Sequence, residues 1–289
     1  MYSITCCPCF SRNIQDSDSC KKLPNKYWIS PFDSGYAETN KNDRRALEMQ
    51  TIINNVVGIK LRTGCKDIWN AFMCKDAIYS KRDIPYCPTI MSGLPQKIIT
   101  WEEAKKLYKK EFYKKHQFYM DVFICFYIDD YKFDGVRSSI WLFPRNALRI
   151  LKHFRGIITP DFSTYQDFPY PIKLYNTYRM RAFGYWIGKQ GLEVINNCRW
   201  GTEESYDYCY DSIPENSIIA IGTVGGSPRK LLDRDRFEKG FFEMIDRLHP
   251  HTIIIYGSSK YSCFDQARKM GIIVIEYPSH TARYWEGKA

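Results

Sequence analysis

The sequence predicts an α/β protein built on a parallel sheet of repeated β-α units. Three observations carry this expectation. Apolar runs of strand length recur from residue 120 onward, at 122–128, 157–159, 192–196, 217–222, 252–257 and 272–278, and each reads as a strand covered on both faces. Helical patterns separate consecutive runs, as right-handed crossovers between parallel strands require. Polar residues and glycine turns gather just after the strands. Two architectures fit: a TIM-barrel-like sheet, complete or incomplete, and an open doubly wound sheet. A full barrel usually takes ~250 residues. The regular part is shorter, so the barrel-like form, which is preferred, is incomplete or draws on elements before residue 120.

The chain divides on composition into three parts. Residues 1–35 are polar and broken by Pro and Gly, with Cys6, Cys7, Cys9 and Cys20, and read as a poorly ordered tail. Those cysteines lack a second C-x-x-C pair or a histidine at finger spacing, so free thiols fit better than zinc. Residues 36–118 read as a basic helical and irregular extension, and 119–289 as the α/β domain. Within the extension, 43–57 places Leu47, Ile52, Ile53 and Val56 at helical spacing. Thr100 opens a helix, because Glu103 completes a T-x-x-E capping box. Lys105, Lys106, Lys109, Lys110, Lys114 and Lys115 make that helix strongly basic. They are the candidate nucleic-acid-binding residues, against the plainer reading of a solvated face on a docked helix.

The later elements follow in order. Pro144 suits the first turn of a helix that Gly156 closes. A long helix is expected over roughly 171–190, ended by Gly191. Phe237, Phe241, Ile245 and Leu248 share one side of the next helix, and Gly271 closes a short one around Phe264 and Ala267.

Composition bounds the function. The chain has 289 residues, 44% of them hydrophobic, and a formal charge of +10. Residues 1–118 hold 20 Lys/Arg against 12 Asp/Glu, whereas 119–289 hold 22 against 20. The excess therefore lies outside the regular half and points to a polyanionic partner, most simply nucleic acid. No run approaches the ~20 apolar residues of a membrane span. The first residues lack the leader of a secreted protein, and eleven cysteines with no signal peptide read as reduced, cytoplasmic thiols.

Both architectures put their binding site at the carboxyl ends of the strands. Those ends carry Asp129 and Asp130, then Pro160, Asp161 and Ser163, then Asn197, Arg199 and Trp200. Thr223, Gly225 and Gly226 follow the fourth run, Tyr256 and Ser258 the fifth, and Glu276 the last. A lone Asp after a strand is usually a turn former or helix cap. A ring of such groups at one rim is what a pocket needs. Asp130 and Asp161, with Asp129, are the candidate acid/base residues, or oxygen ligands for a divalent metal. Ser163, Asn197, Arg199, Trp200, Thr223, Gly225, Gly226, Tyr256 and Ser258 are the candidate substrate contacts. The loop 222–230 is Gly-rich, and its backbone N–H groups with Arg229 or Lys230 would suit a phosphate, but it fits neither phosphate-loop spacing, so a flexible connection is the preferred reading. Tyr165, Phe168, Tyr170, Trp200, Tyr206, Tyr208 and Tyr210 follow the second and third runs, where aromatics stack on bases or pack as a lid. Of the histidines, only His280 falls near the rim.

Six blocks in order, FYIDDYKFD, GIITPDFSTYQDFP, LYNTYRMRAFGYW, QGLEVINNCRWG, ESYDYCYDSIPENSIIAIGTVG and HTIIIYG, resemble a family found largely in bacteriophages, prophages and other mobile elements and grouped as a domain of unknown function. The resemblance covers roughly residues 120–257. It implies a phage or mobile-element setting and supplies no reaction, so no catalytic role is carried over. Three classes remain open: an enzyme acting on a nucleotide or nucleic acid, a non-catalytic nucleic-acid-binding accessory protein, and an interaction protein that neutralises a host factor.

Overall fold

A computed structural model describes residues 64–114, 117–224 and 231–286, all within one compact unit that spans Glu38–Ala289. The tail 1–35, the segment 43–57, Lys115, Gly225 and Gly226 lie outside the described residues. Seven parallel strands form one sheet: β1 (Ile98–Thr100), β2 (Met120–Cys125), β3 (Phe154–Ile158), β4 (Glu193–Asn197), β5 (Ile218–Gly222), β6 (Thr252–Tyr256) and β7 (Ile273–Tyr277). Each strand pairs with the next in sequence. A doubly wound sheet reverses its strand order at a switch point, and this sheet does not. The barrel-like alternative is the observed one.

The sheet is curled, and side-chain alternation shows it. Phe123 and Tyr127 from β2 and its extension join Ile158 of β3, Ile195 of β4, Ala220 of β5 and Tyr256 of β6 in one inner cluster. The alternate residues Val122, Ile124 and Phe126, or Ile253 and Ile255, belong to the two clusters beneath the outer helices. Tyr127 and Tyr256 stack with centroids 5.5 Å apart although their strands are four places apart in the sheet. Large inner rings need small neighbours. A Cβ on Gly156 would stand 2.7 Å from the Phe123 ring, and one on Gly222 would run into the Tyr127 ring.

The sheet starts earlier than the regular pattern. Ile98 and Ile99 form β1 and pair with Phe123 and Ile124, so the expected boundary at 118/119 falls inside the sheet. Three residues are too few to show a period. The basic helix that follows, α1 (Trp101–Tyr113), is the first crossover, and Thr100 caps it with the full box expected. The remaining helices are the one-turn α2 (Tyr131–Asp134), α3 (Pro144–Leu151), α4 (Tyr170–Lys189), α5 (Leu231–Leu248), α6 (Ser262–Lys269) and α7 (His280–Glu286). The long α4 packs between β4 and a 3-10 turn at Ala71–Cys74. Its polar residues Lys173, Asn176 and Arg181 are buried too, on partners in the loops after β3 and β4.

Two gaps in the backbone ladder are closed by other means. β4 pairs with β3 through 193–195 but with β5 only through Asn196 and Asn197. Into the wedge left between β4 and β5 comes the segment 87–90: Ile90 exchanges backbone hydrogen bonds with Val194, and the Asn196 amide donates to the Cys87 carbonyl at 2.7 Å. The second gap lies between β1 and β7, which do not pair. There the Tyr277 hydroxyl donates to the Pro95 carbonyl at 2.5 Å, and Arg283 of α7 donates to the Ile98 carbonyl at 3.0 Å. Arg283 also reaches both carboxylate oxygens of Glu103 at 2.8 Å. No described helix is long and apolar enough to cross a membrane.

This packing can be tested at both places. Gly156→Ala should lower stability by about 1–3 kcal/mol, the usual cost of overpacking a tight core, with part regained on adding Phe123→Leu; an unchanged urea midpoint would contradict the inner packing. Arg283→Met should cost roughly 1.5–3 kcal/mol at pH 7, the range for charge-assisted hydrogen bonds. Burial opposes the Glu103 charge, but the Thr100 N–H and Arg283 outweigh it and hold the carboxyl below the usual glutamate range. Stability from a lowered carboxyl is present above the unfolded value of about 4.3 and is lost as pH falls. The gap between wild type and Arg283→Met should therefore narrow on acidification towards what the bond to the Ile98 carbonyl contributes, and a gap that does not narrow in acid would refute the pairing with Glu103.

Candidate functional site

The carboxyl ends of the strands open into a cavity of about 640 Å³. Every strand reaches it: Thr100 at the end of β1, Tyr127 to Asp130 after β2, Asp161 and Ser163 after β3, Arg199 and Trp200 after β4, Gly222 at the end of β5, Tyr256 at the end of β6, and Ser279 to Thr281 after β7. Helices α1 and α5 add Lys106, Arg236 and Phe237 to its wall.

Alternation decides which side chains point inward. Along β4, Val194 faces the outer helices and Ile195 the inner core. Asn196 turns outward to Cys87, and Asn197 turns inward to Tyr127 and Asp161. The inward set forms one chain of hydrogen bonds. The Tyr127 hydroxyl donates to Asn197 Oδ1 at 3.0 Å, and Asn197 Nδ2 donates to Asp161 Oδ1 at 2.9 Å. Arg199 donates from Nε to Asp161 Oδ1 at 2.9 Å and from Nη2 to Oδ2, a bidentate clasp. The backbone beneath is anchored too. Asn197 N–H donates to Thr159 Oγ1 at 2.8 Å, and the wholly buried Arg181 donates to the carbonyls of Asn197, Cys209 and Asp211.

Charge follows from this arrangement. Burial works against the Arg199 guanidinium, but the adjacent Asp161 carboxylate and its hydrogen bonds prevail and raise its pKa. Burial, with the Asp161 charge behind it, pushes the Tyr127 phenol well up, so it stays a donor. Arg199 remains 26% exposed, and its Nη1 has no hydrogen-bond partner among the described residues.

Asp130 sits in a second arrangement. Its Oδ2 accepts from the Ser163 N–H at 3.0 Å and its Oδ1 from the Ser163 hydroxyl at 2.8 Å. Burial raises its pKa; the two Ser163 bonds oppose this without cancelling it. The Ser163 carbonyl is held in turn by the Asn176 amide on α4. Asp130 is thus a raised carboxyl facing a hydroxyl, whereas Asp161 is a charge already clasped by an arginine.

The other candidates separate cleanly. Asp129 is mostly exposed and pairs with Lys132 at 3.1 Å, beside Glu102. Asn197 supports the wall from beneath. Thr223 and Ser258 brace one loop against another, Thr223 Oγ1 donating to the Ser258 carbonyl at 3.1 Å. Trp200 and Tyr256 line the cavity, with Trp200 packed on Phe237 at 5.1 Å and donating to its carbonyl. Glu276 turns to the Ser259 N–H at 2.7 Å.

The six candidate lysines of the basic helix do not act as one set. Lys105 leaves the exposed face of α1: its Nζ donates to the Lys132 carbonyl at 2.9 Å and burial lowers its pKa. Lys114 is also withdrawn from the expected free cations. It stands just past the last turn of α1, as its C-cap, and pairs with Glu111 three residues back at 3.4 Å. That spacing brings the two side chains together on one face, so part of its charge is neutralised within the helix. Lys106, Lys109 and Lys110 remain exposed, and Lys106 also reaches the cavity.

Sequence reasoning missed Tyr127, Arg236 and Phe237 as lining residues, for Tyr127 lay inside an apolar run and the other two inside a helical pattern. Among the described residues, no group of three or more His, Cys, Asp or Glu side chains is placed to hold a metal ion.

A singly wound parallel sheet with a polar mouth at its carboxyl end defines a barrel-type α/β protein whose candidate site is that mouth. A family model described as a domain of unknown function (DUF4417) matches residues 79–278, and the chain belongs to that family. Gene 1 protein of Mycobacterium phage D29 is 34% identical over 161 residues, 56% of this chain and 55% of that protein. Gene 1 protein of Mycobacterium phage L5 is also 34% identical over 161 residues, 56% of this chain and 65% of that protein. The chain thus spans less than two thirds of the length of these curated relatives. No solved structure matches.

Asp161→Ala would leave Arg199 without its counter-ion and Asn197 without an acceptor. It should destabilise by about 1–3 kcal/mol, the range for orphaned polar groups, reduced here from a fully buried pair by the partial exposure of Arg199. Urea unfolding at pH 7 measures this, and an unchanged midpoint would show that the clasp does not hold the mouth together.

Proposed function

We propose that the chain is an enzyme acting on a phosphate-bearing substrate of nucleotide size, bound at the mouth of the curled sheet. The supporting observation is the convergence of two unlike groups on one cavity: the raised carboxyl of Asp130 and the clasped guanidinium of Arg199 with its spare Nη1. A carboxyl that accepts from a hydroxyl in its resting state is arranged as a general base. A guanidinium locked by a carboxylate is arranged to orient an oxyanion without moving. Lys106 and Arg236 add positive charge to the wall, and Arg236 makes only a hydrogen bond to Gln166 among the described residues. The cavity volume falls in the usual range for small-molecule sites. Tyr165, Trp200 and Phe237 offer ring faces for a base. The phage proteins to which the chain is similar give a setting in which nucleotide and nucleic-acid chemistry is common, and they name no reaction.

In this reading Asp130 removes a proton through or alongside Ser163, Arg199 holds the phosphate, and Asp161, Asn197 and Tyr127 hold Arg199. A panel of nucleoside mono-, di- and triphosphates, screened by thermal shift and then by calorimetry, tests it. At least one should stabilise the protein. Arg199→Gln should weaken that ligand by about 10-fold or more, as loss of a charge-assisted bond implies. Asp130→Asn should keep both fold and ligand binding but abolish turnover. Because the base form is required and its pKa is raised, activity should fall on acidification at a pH above the ordinary aspartate value of about 3.9. If no nucleotide shifts the melting temperature, the reading fails.

A further inference from the structure

The outer face formed by α1 and α3 carries cations without counter-ions. The two helices pack side by side, with Tyr108 of α1 against His153 just beyond α3 at 5.3 Å between centroids. On α1, Lys106, Lys109 and Lys110 are exposed; on α3 and its end, Arg145, Arg149 and Lys152 are exposed. None of the six makes an ion pair or side-chain hydrogen bond with the described residues. Lys114, paired with Glu111, is not among them. Helix α3, PRNALRIL, has no carboxylate at all. Elsewhere on the surface the pattern is different: Lys239 pairs with Asp235, Arg247 with Glu243 and Arg268 with Asp265. A face kept only for solubility interleaves both signs. Six like charges on two neighbouring helices repel one another and favour a polyanion.

The same face ends in exposed rings. Phe112 and Tyr113 at the end of α1 are 63% and 72% exposed. Rings interleaved with cations are the arrangement that holds unpaired bases over a neutralised backbone. A smooth duplex backbone would use the cations and leave the rings in water.

We propose that the α1–α3 face binds single-stranded nucleic acid, its phosphates on these six cations and its bases on Phe112 and Tyr113. The inference goes beyond the mouth reading and does not rest on it, although Lys106 belongs to both surfaces.

The test uses the full chain and a labelled single-stranded DNA of about 20 nucleotides, longer than typical single-strand site sizes. Fluorescence anisotropy over a salt series should give binding that weakens with a log–log slope of about −4, since each contacted phosphate of a single strand contributes roughly −0.7. The double variants Lys109→Glu/Lys110→Glu and Arg145→Glu/Arg149→Glu, one on each helix, should each raise Kd at least ~10-fold and flatten the slope by about 1 or more. Tyr113→Ala should weaken the single strand while leaving the slope unchanged. Circular dichroism melts of each variant separate loss of binding from loss of fold. The proposal is overturned if the wild type shows no binding at about 50 mM salt, or if neither charge reversal changes Kd. It is also overturned if a duplex of equal length binds tighter than the single strand, or if phosphatidylglycerol vesicles capture the protein while DNA does not. Mononucleotide binding at the mouth should survive both double variants, so failure of one reading is distinguishable from failure of the other.

Discussion

Tyr127 occupies the place where the inner core becomes the mouth, and the rest of the structure is arranged around it. Its ring fills the upper end of the curled sheet, so β5 must offer Gly222 there and β6 must offer Tyr256 as a stacking partner. Its hydroxyl is buried and must be paired, and Asn197 supplies the acceptor. An amide whose oxygen is taken can still donate, and Asn197 donates to Asp161. Asp161 then carries a charge in a confined space, and Arg199 answers it. Each polar group in the wall thus exists partly to satisfy the one before it, and the chain ends in a guanidinium with donor capacity to spare. Packing of a parallel sheet has in this way produced a fixed positive group at its open end.

The same logic explains how much could be read from the sequence. All six apolar runs from 122 onward are strands, because a strand covered on both faces needs a continuous apolar run and has no other way to satisfy it. The capping box at Thr100 and the proline at the start of α3 were local signals and were legible for that reason. β1 was not legible: Ile98, Ile99 and Thr100 are a strand only because Phe123, Ile124 and Cys125 lie beside them. The wedge of residues 87–90 between β4 and β5, and the side-chain seam between β1 and β7, depend on partners more than a hundred residues away. No window of the sequence contains both halves of such a contact.

At the mouth, the sequence located the rim but could not rank its members. Asp130 and Asp161 look equivalent as carboxylates after a strand. They differ because β4 places an arginine two residues past Asn197, where alternation returns the side chain to the same inward face. The lysines of α1 likewise look equivalent. Lys105 turns to a backbone carbonyl, Lys106 stands at the cavity edge and Lys114 folds back on Glu111. The candidate site is a product of pairing geometry laid over a pattern that the sequence already carried.

That geometry implies a division of labour between the two carboxylates. A carboxylate that gives both oxygens to a guanidinium has its acceptor sites committed to holding that cation in one orientation. A carboxyl whose pKa burial has already raised, and whose partner is a neutral hydroxyl, gives up or takes a proton without disturbing such a clasp. The first is suited to hold charge in place and the second to change it. The two stand on neighbouring strand ends, and the Asp161 charge itself contributes to raising Asp130. The fixed charge therefore does two things from one position: it orients Arg199, and it helps keep Asp130 closer to the pH at which a proton can move.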